Sequence, residues 1–383
     1  MILVSILVIL ILTRIVSIVL EELFPKKTKI DDKLIETKMR NKFKSLDITF
    51  GTKLYQQLRQ QLNGRYEDFG TTLYANPPKN GINYRIKYID TYCEEELTDN
   101  NKKLSTKPVM VLLHGTPGSV VDFEFFCSEF GQNYRLIIPQ FPGFELTRSC
   151  GQFWHSNEER TQLIVTFLNK LSITEVDCLV CHSGGNPVAL QMISGEFEGK
   201  LDVKSLVMIT PPGFKWLSDK QLKNTRKMCQ IVASLWRRWL YRFLLPDFVK
   251  IWLGVPQTLL KNCTREEFYT ITLVGSNSGF ESNIKRRYER LAEKRIPTLF
   301  VMADKDNLFP KWKFEKTLEF MSANREELFT YIGLNGETES ESSAREWIQV
   351  LDFRFGGHFC FLKYSEVFHK YCQKFFETLD LKN

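Results

Sequence analysis

The sequence predicts an α/β protein: a doubly wound, mostly parallel sheet interrupted by one helical insertion and preceded by an N-terminal membrane helix. Three observations predict it. From about Tyr84 onward, short apolar runs alternate with helical patterns, the order expected of a parallel sheet covered by helices on both faces. Val176-Asp-Cys-Leu-Val-Cys-His-Ser-Gly-Gly-Asn-Pro-Val-Ala-Leu190 passes from an apolar strand into a helix through a very short turn. Residues 213–295 then break the alternation with a helical segment rich in basic and aromatic residues.

Composition bounds the rest. The 383 residues are 43% hydrophobic and 25% charged, ordinary for a globular chain and unlike a disordered one. Nine cysteines show no repeated spacing and no zinc-ligand pattern with nearby histidines, which predicts reduced thiols and no metal site. Asn262-Cys-Thr264 is a formal glycosylation sequon. The net charge is +7. Residues 215–295 hold 17 Lys and Arg against 7 Asp and Glu, a net of +10, so the remainder of the chain carries −3.

Met1–Leu20 is apolar except for Ser5, Thr13, Arg14 and Ser17, long enough to cross about 30 Å of hydrocarbon as a helix. No small-residue cleavage site precedes Glu21, so the segment reads as an uncleaved single-pass anchor. Lys26, Lys27 and Lys29 follow it and place the body of the protein on the cytoplasmic side. Residues 21–80 form a polar linker, read as helical from Asp32 to Leu62. The folded core is assigned to 81–212 and 296–383.

Within the core, Tyr84–Asp90 alternates with period two and reads as a strand. Val109–Leu113 is a short apolar run suited to a central parallel strand, and it ends in His114-Gly-Thr-Pro-Gly118. A helix follows from about Asp122, then the strand Arg135–Ile138. A helix from Asn157 to Leu171 leads into the apolar run Val176–Cys181. Ser183 sits at the apex of the next turn, with Asn186 as N-cap and Pro187 at the first helical position. Such a turn holds its apical residue in a strained conformation and needs small residues two positions either side, here Cys181 and Gly185. Val203–Ile209 and Thr298–Met302 are further strands. Trp347–Phe353 precedes Gly356-Gly-His358, and a helix from Ser365 closes the chain.

From Tyr84 to the C-terminus the sequence resembles the lid-bearing α/β hydrolases. The residues that carry the likeness are His114-Gly-Thr-Pro-Gly118, Cys181-His-Ser-Gly-Gly185, Ala303-Asp-Lys-Asp306 and Gly356-Gly-His358. Their order, serine then acid then histidine, is the one used by this fold, whose nucleophile stands on a strand-to-helix elbow. The resemblance implies Ser183 as nucleophile, His358 as base and Asp306 as the acid that orients it, with Asp304 as the competing carboxylate. It implies an oxyanion hole formed by the amides of Gly184 and Thr116, since Pro117 has no N–H. Cys181 replaces a glycine of the usual elbow, Gln140 stands where related loops often carry Asp, and polar Asn335–Ser343 reads as a solvated surface insertion.

Serine at the elbow points to acyl-enzyme chemistry on a hydrophobic ester, a small molecule or a lipid, with no cofactor. Residues 213–295 stand where related enzymes carry a lid. There Trp236, Trp239, Phe248 and Trp252 could line an acyl pocket or rest on a bilayer, with Arg237, Arg238 and Arg242 against anionic headgroups; alternatively they form the lid's own core. No nucleic-acid-binding module is recognisable. Two other readings stay open: a catalytically inactive binding protein on the same fold, and an acyltransferase.

Overall fold

The computed structural model describes residues 43–54, 80–92, 107–144, 155–214, 284–342 and 346–379, together with Glu36, Thr37, Met39, Phe153, Glu267, Thr270, Ile271, Leu273 and Val274. The anchor Met1–Leu20, the sequon, and the tryptophans and arginines assigned to the lid lie outside the described residues. Among the described residues no helix is long and apolar enough to cross a membrane.

Twelve strands are described: β1 (Lys44–Phe50), β2 (Ile82–Asp90), β3 (Val109–Leu113), β4 (Arg135–Pro139), β5 (Glu175–Val176), β6 (Cys178–His182), β7 (Asp202–Val203), β8 (Leu206–Ile209), β9 (Thr298–Ala303), β10 (Phe329–Ile332), β11 (Thr338–Ser340) and β12 (Ile348–Phe353). Ten form one sheet in the order β1-β2-β4-β3-β6-β8-β9-β12-β10-β11, and β5 and β7 pair separately. The middle of the sheet, from β4 through β10, is parallel, while β1, β2 and β11 pair antiparallel at the two edges. The central strands β6, β8 and β9 are buried along their whole length, as parallel strands covered on both faces must be.

Helices supply that cover. One apolar layer lies under α2 (Asn157–Lys170), α3 (Asn186–Ser194), α4 (Ile284–Lys294) and α5 (Lys311–Phe320), and it includes Leu163, Phe167, Leu190, Tyr288 and Phe314. The other lies under α1 (Glu124–Phe130) and α6 (Ser365–Thr378), with Phe126, Phe130, Phe368 and Phe376. Local signals set the ends of these helices. Ser156 caps α2 in a reciprocal box with Glu159, and Gly195, at φ 74°, closes α3 in a left-handed conformation.

Several expectations need correction. The segment read as helical over Asp32–Leu62 contains β1, which extends the sheet antiparallel to β2; its Lys-Ser-Leu-Asp-Ile-Thr-Phe pattern alternates with period two, as a half-buried edge strand does. The run Val176–Cys181 is not one strand. Asp177 separates β5 from β6, and its carboxylate accepts from the Val109 amide at 2.7 Å, turning the chain from one ladder to the other. Ile284–Lys294, within the segment assigned to the insertion, form α4, whose Arg287 and Arg290 both pair with Glu196 just beyond α3. In the polar segment read as Asn335–Ser343, residues 335 and 337–341 are exposed, as expected of a surface insertion, and Thr338–Ser340 adds the edge strand β11; Ser343 lies outside the described residues. The described cysteines, Cys127, Cys178, Cys181, Cys360 and Cys372, are buried free thiols.

Beneath the C-terminal edge of β12 lies a charged cluster. Lys311 Nζ contacts Asp304 at 2.7 Å and Asp352 at 3.5 Å. Burial, and then the neighbouring Asp304 carboxylate, push Asp352 up to about 7. A carboxyl that holds its proton more tightly folded than unfolded contributes stability below about pH 4, and that contribution is lost as pH rises through about 7. Asp352→Asn is therefore expected to raise the melting temperature more at pH 8 than at pH 5. Thermal scans of both proteins at the two pH values check this, and an equal shift at each would contradict it.

Candidate active site

The C-terminal ends of β3, β6, β9 and β12 converge on one region, where open α/β sheets bind their ligands. At the end of β6 the chain makes its sharpest turn. Ser183 has φ 47°, a left-handed backbone that costs a non-glycine residue about 1–2 kcal/mol. The turn closes only because Gly185 has no side chain: a Cβ there would lie 2.5 Å from the Leu113 carbonyl oxygen. Asn186, expected as an N-cap, is instead the first residue of α3, where its Nδ2 donates to the carbonyls of Ser183 at 3.0 Å and Ile209 at 3.1 Å. The asparagine thus pins the elbow to the end of β8.

Ser183 and Gly184 line an open pocket, about 420 Å³ of empty space that is continuous with solvent, together with Pro187, Pro212, Phe214, Val274, Ile284 and Phe309. Its wall is mostly apolar, the kind of surface that selects a hydrocarbon group. Asn157, at the first position of α2, adds one amide to the lining.

The histidine predicted downstream reaches the same region. His358 Nδ1 lies 2.7 Å from Asp306 Oδ2. The other oxygen of that carboxylate, Oδ1, accepts from the amides of Leu308 at 2.7 Å and Phe309 at 3.0 Å. With both oxygens engaged, the carboxylate is held as an acceptor, and it fixes the proton of His358 on Nδ1. Nε2 is thereby left bare, with its lone pair available. The Phe309 ring, part of the cavity wall, stands edge-on to the His358 ring at 5.2 Å. Asp304, the competing carboxylate, is committed to Lys311 and does not touch the ring. No hydrogen bond joins the Ser183 hydroxyl to His358 among the described residues, a contact that in resting sites is often long and tightens around the substrate.

Thr116 and Gly184 are placed side by side. A Cβ built on Gly184 would lie 2.7 Å from Thr116 Oγ1 and 3.3 Å from Thr116 N. The Thr116 hydroxyl is buried and has no partner among the described residues. Gln140, in the place where an aspartate was expected, accepts from the Val120 amide at 3.0 Å and braces the start of the segment that leads into α1.

Three supporting residues were not assigned these roles from sequence. His182 Nε2 donates to the His358 carbonyl at 3.2 Å, and Thr210, itself at φ 39°, donates to the same oxygen through Oγ1 at 3.1 Å. Two buried donors therefore hold the backbone of the histidine loop. Burial keeps His182 well below the usual histidine range, so it acts as a neutral donor. The third is Arg160 on α2, fully buried, with Nη1 donating to the Gly184 carbonyl at 2.9 Å. Only Thr210 carried a sequence signal, its position at the end of a strand beside Pro211-Pro-Gly213. His182 and Arg160 look like an elbow filler and a solvated helix charge until the fold is in hand. Among the described residues no group of His, Cys, Asp and Glu is arranged to hold a metal ion.

Comparison with known proteins agrees with this architecture. An uncharacterised Caenorhabditis elegans protein, F35H12.5, is 28% identical over 184 residues, 47% of this chain and 49% of that one. Lipase 1 of Psychrobacter immobilis is 26% identical over 223 residues, 54% of this chain and 65% of the lipase. The chain thus spans about half the length of the first relative and just under two thirds of the second. Among solved structures, a thermophilic esterase from Thermogutta terrifontis superposes with a TM-score of 0.53 at 14% identity, over 78% of this chain and 94% of the esterase, a likeness of fold. Residues 89–377 match the family described as alpha/beta hydrolase of unknown function (DUF1057), and the chain belongs to that family.

Proposed function

We propose that the protein is a serine hydrolase that cleaves a hydrophobic ester through an acyl-enzyme on Ser183. The observation that carries this reading is a serine held at φ 47° on the wall of an apolar pocket, beside a loop, bonded to the neighbouring His182, whose own histidine is locked to a buried aspartate. The lipase among its relatives and the esterase that shares its fold point the same way.

In this reading His358 Nε2 removes the Ser183 proton as Oγ attacks the ester carbonyl, and Asp306 stabilises the imidazolium that forms. The amides of Thr116 and Gly184 donate to the oxyanion of the tetrahedral intermediate. Collapse expels the alcohol, which takes the proton from His358. Water, activated by the same nitrogen, then releases the carboxylic acid and restores the serine. The acyl chain lies against Pro187, Pro212, Phe214, Val274 and Ile284. The apolar Met1–Leu20 segment would hold the enzyme at a membrane as a single-pass anchor with its catalytic body toward the cytoplasm, and the basic aromatic stretch 235–253 would face the bilayer.

A fluorophosphonate probe tests the reading. The expected result is one covalent adduct on Ser183, absent in Ser183→Ala, and turnover of aryl esters that rises and then falls with acyl length. A folded protein that remains unlabelled and turns over no ester would leave a binding protein on a hydrolase scaffold. Labelling with acyl transfer to an added alcohol in place of hydrolysis would make it an acyltransferase.

A further inference from the structure

Arg160 lies on α2, is 0% exposed, and has no carboxylate within ion-pair distance among the described residues. Taking a guanidinium out of water without a counter-ion is strongly unfavourable, so what it does contact matters. Nη1 donates to the Gly184 carbonyl at 2.9 Å. The guanidinium carbon stands 3.9 Å over the Phe141 ring centroid, a cation–π contact in a dry site. Nε and Nη2 are buried with no hydrogen-bond partner among the described residues. The neighbouring buried base does not neutralise it: burial, with the Arg160 charge adding to it, lowers His114 to about 3. Burial lowers Arg160 itself only to about 9, so it remains a cation at neutral pH.

Phe141 links this cation to the other side of the oxyanion hole. Its amide donates to His114 Nε2 at 3.0 Å, which places the His114 proton on Nδ1, and Nδ1 donates to the Gly115 carbonyl at 2.9 Å. Two buried side chains that meet at Phe141 therefore hold the residues at, and next to, the two amides assigned to the oxyanion: His114 holds Gly115 beside Thr116, and Arg160 holds Gly184.

We propose that Arg160 is a positioning residue of the oxyanion hole, which fixes the Gly184 backbone and leaves a positive charge, with no carboxylate partner among the described residues, behind the place where the substrate's negative charge develops. The inference rests on the serine-hydrolase reading above. A cation fixed in a low-dielectric site favours charge that appears only in the transition state, so it acts on the acylation step more than on substrate binding.

The test compares Arg160→Met, Arg160→Gln and Arg160→Lys with the parent, each confirmed folded by circular dichroism. The measurements are the rate constant for fluorophosphonate labelling of Ser183, kcat and KM on an aryl ester, and inhibition by a boronic acid. Arg160→Met is expected to slow labelling about 10- to 100-fold and to weaken boronate binding by a similar factor, with KM changed by less than about threefold. Arg160→Gln keeps a donor for the Gly184 carbonyl without the charge and is expected to lose about tenfold; Arg160→Lys, which keeps the charge, is expected to recover most of the rate. If Arg160→Met does not fold, the contrast between Gln and Lys decides. Neutral variants that label within about twofold of the parent, or a Lys variant as slow as the Gln variant, would overturn the proposal. A parent that is not labelled at all would remove the serine-hydrolase reading, and this inference with it.

Discussion

In the proposed serine mechanism, replacing His358 by alanine is expected to lower ester turnover about a millionfold, because Ser183 would then have no base. Asp306→Asn is expected to cost about 10⁴-fold while leaving the fold intact, for a reason specific to this site. Asp306 Oδ1 accepts from the amides of Leu308 and Phe309, so an asparagine must present its oxygen there and turn its amide nitrogen toward His358. That nitrogen donates, and it forces His358 to accept on Nδ1 and to carry its proton on Nε2, the atom that must receive the serine proton. Asp304→Asn is the control. Asp304 is bonded to Lys311 and not to the histidine, and its loss is expected to change kcat by less than about tenfold. Steady-state kinetics of the three variants at equal concentrations of folded protein decide the assignment. An Asp304→Asn variant as slow as Asp306→Asn would reverse it.

The elements that frame this site were legible because each has a local physical signature. Val109–Leu113 and Thr298–Met302 are apolar without alternation, as only doubly covered strands are, and the glycines around Ser183 and His358 mark turns too tight for side chains. The choice between Asp304 and Asp306 rested on resemblance, and the geometry now pairs Asp306 with the ring. What escaped the sequence depends on tertiary partners. β1 is an edge strand whose polar face looked like a linker, although its alternation was there to be read. Arg287 and Arg290 on α4 read as part of a basic surface, whereas both close onto Glu196 beyond α3. Arg160 was hidden for the same reason. A single arginine in an amphipathic helix implies solvent, yet ten of the fourteen residues of α2 are buried, since the helix is covered on more than one side.

The sharpest expected change in stability comes from the glycine that lets the elbow form. A Cβ at Gly185 would sit 2.5 Å from the Leu113 carbonyl oxygen and 3.1 Å from that of His114. Both atoms are backbone at the end of β3, a strand hydrogen-bonded on each side by β4 and β6, so neither can step aside as a flexible side chain would. Gly185→Ala must therefore push the start of α3 away from the sheet. We expect a loss of about 3 kcal/mol in urea unfolding, and labelling of Ser183 slowed about 100-fold by the displaced hydroxyl. Gly195, at the other end of the same helix, gives the contrast. Its φ is 74°, but nothing lies within 4 Å of an added Cβ. Gly195→Ala should cost only the left-handed backbone, about 1 kcal/mol, and leave the labelling rate unchanged. Equal destabilisation by the two substitutions would mean that backbone strain, and not contact between the elbow and β3, governs this helix, and the close packing that presents Ser183 would lose its explanatory role.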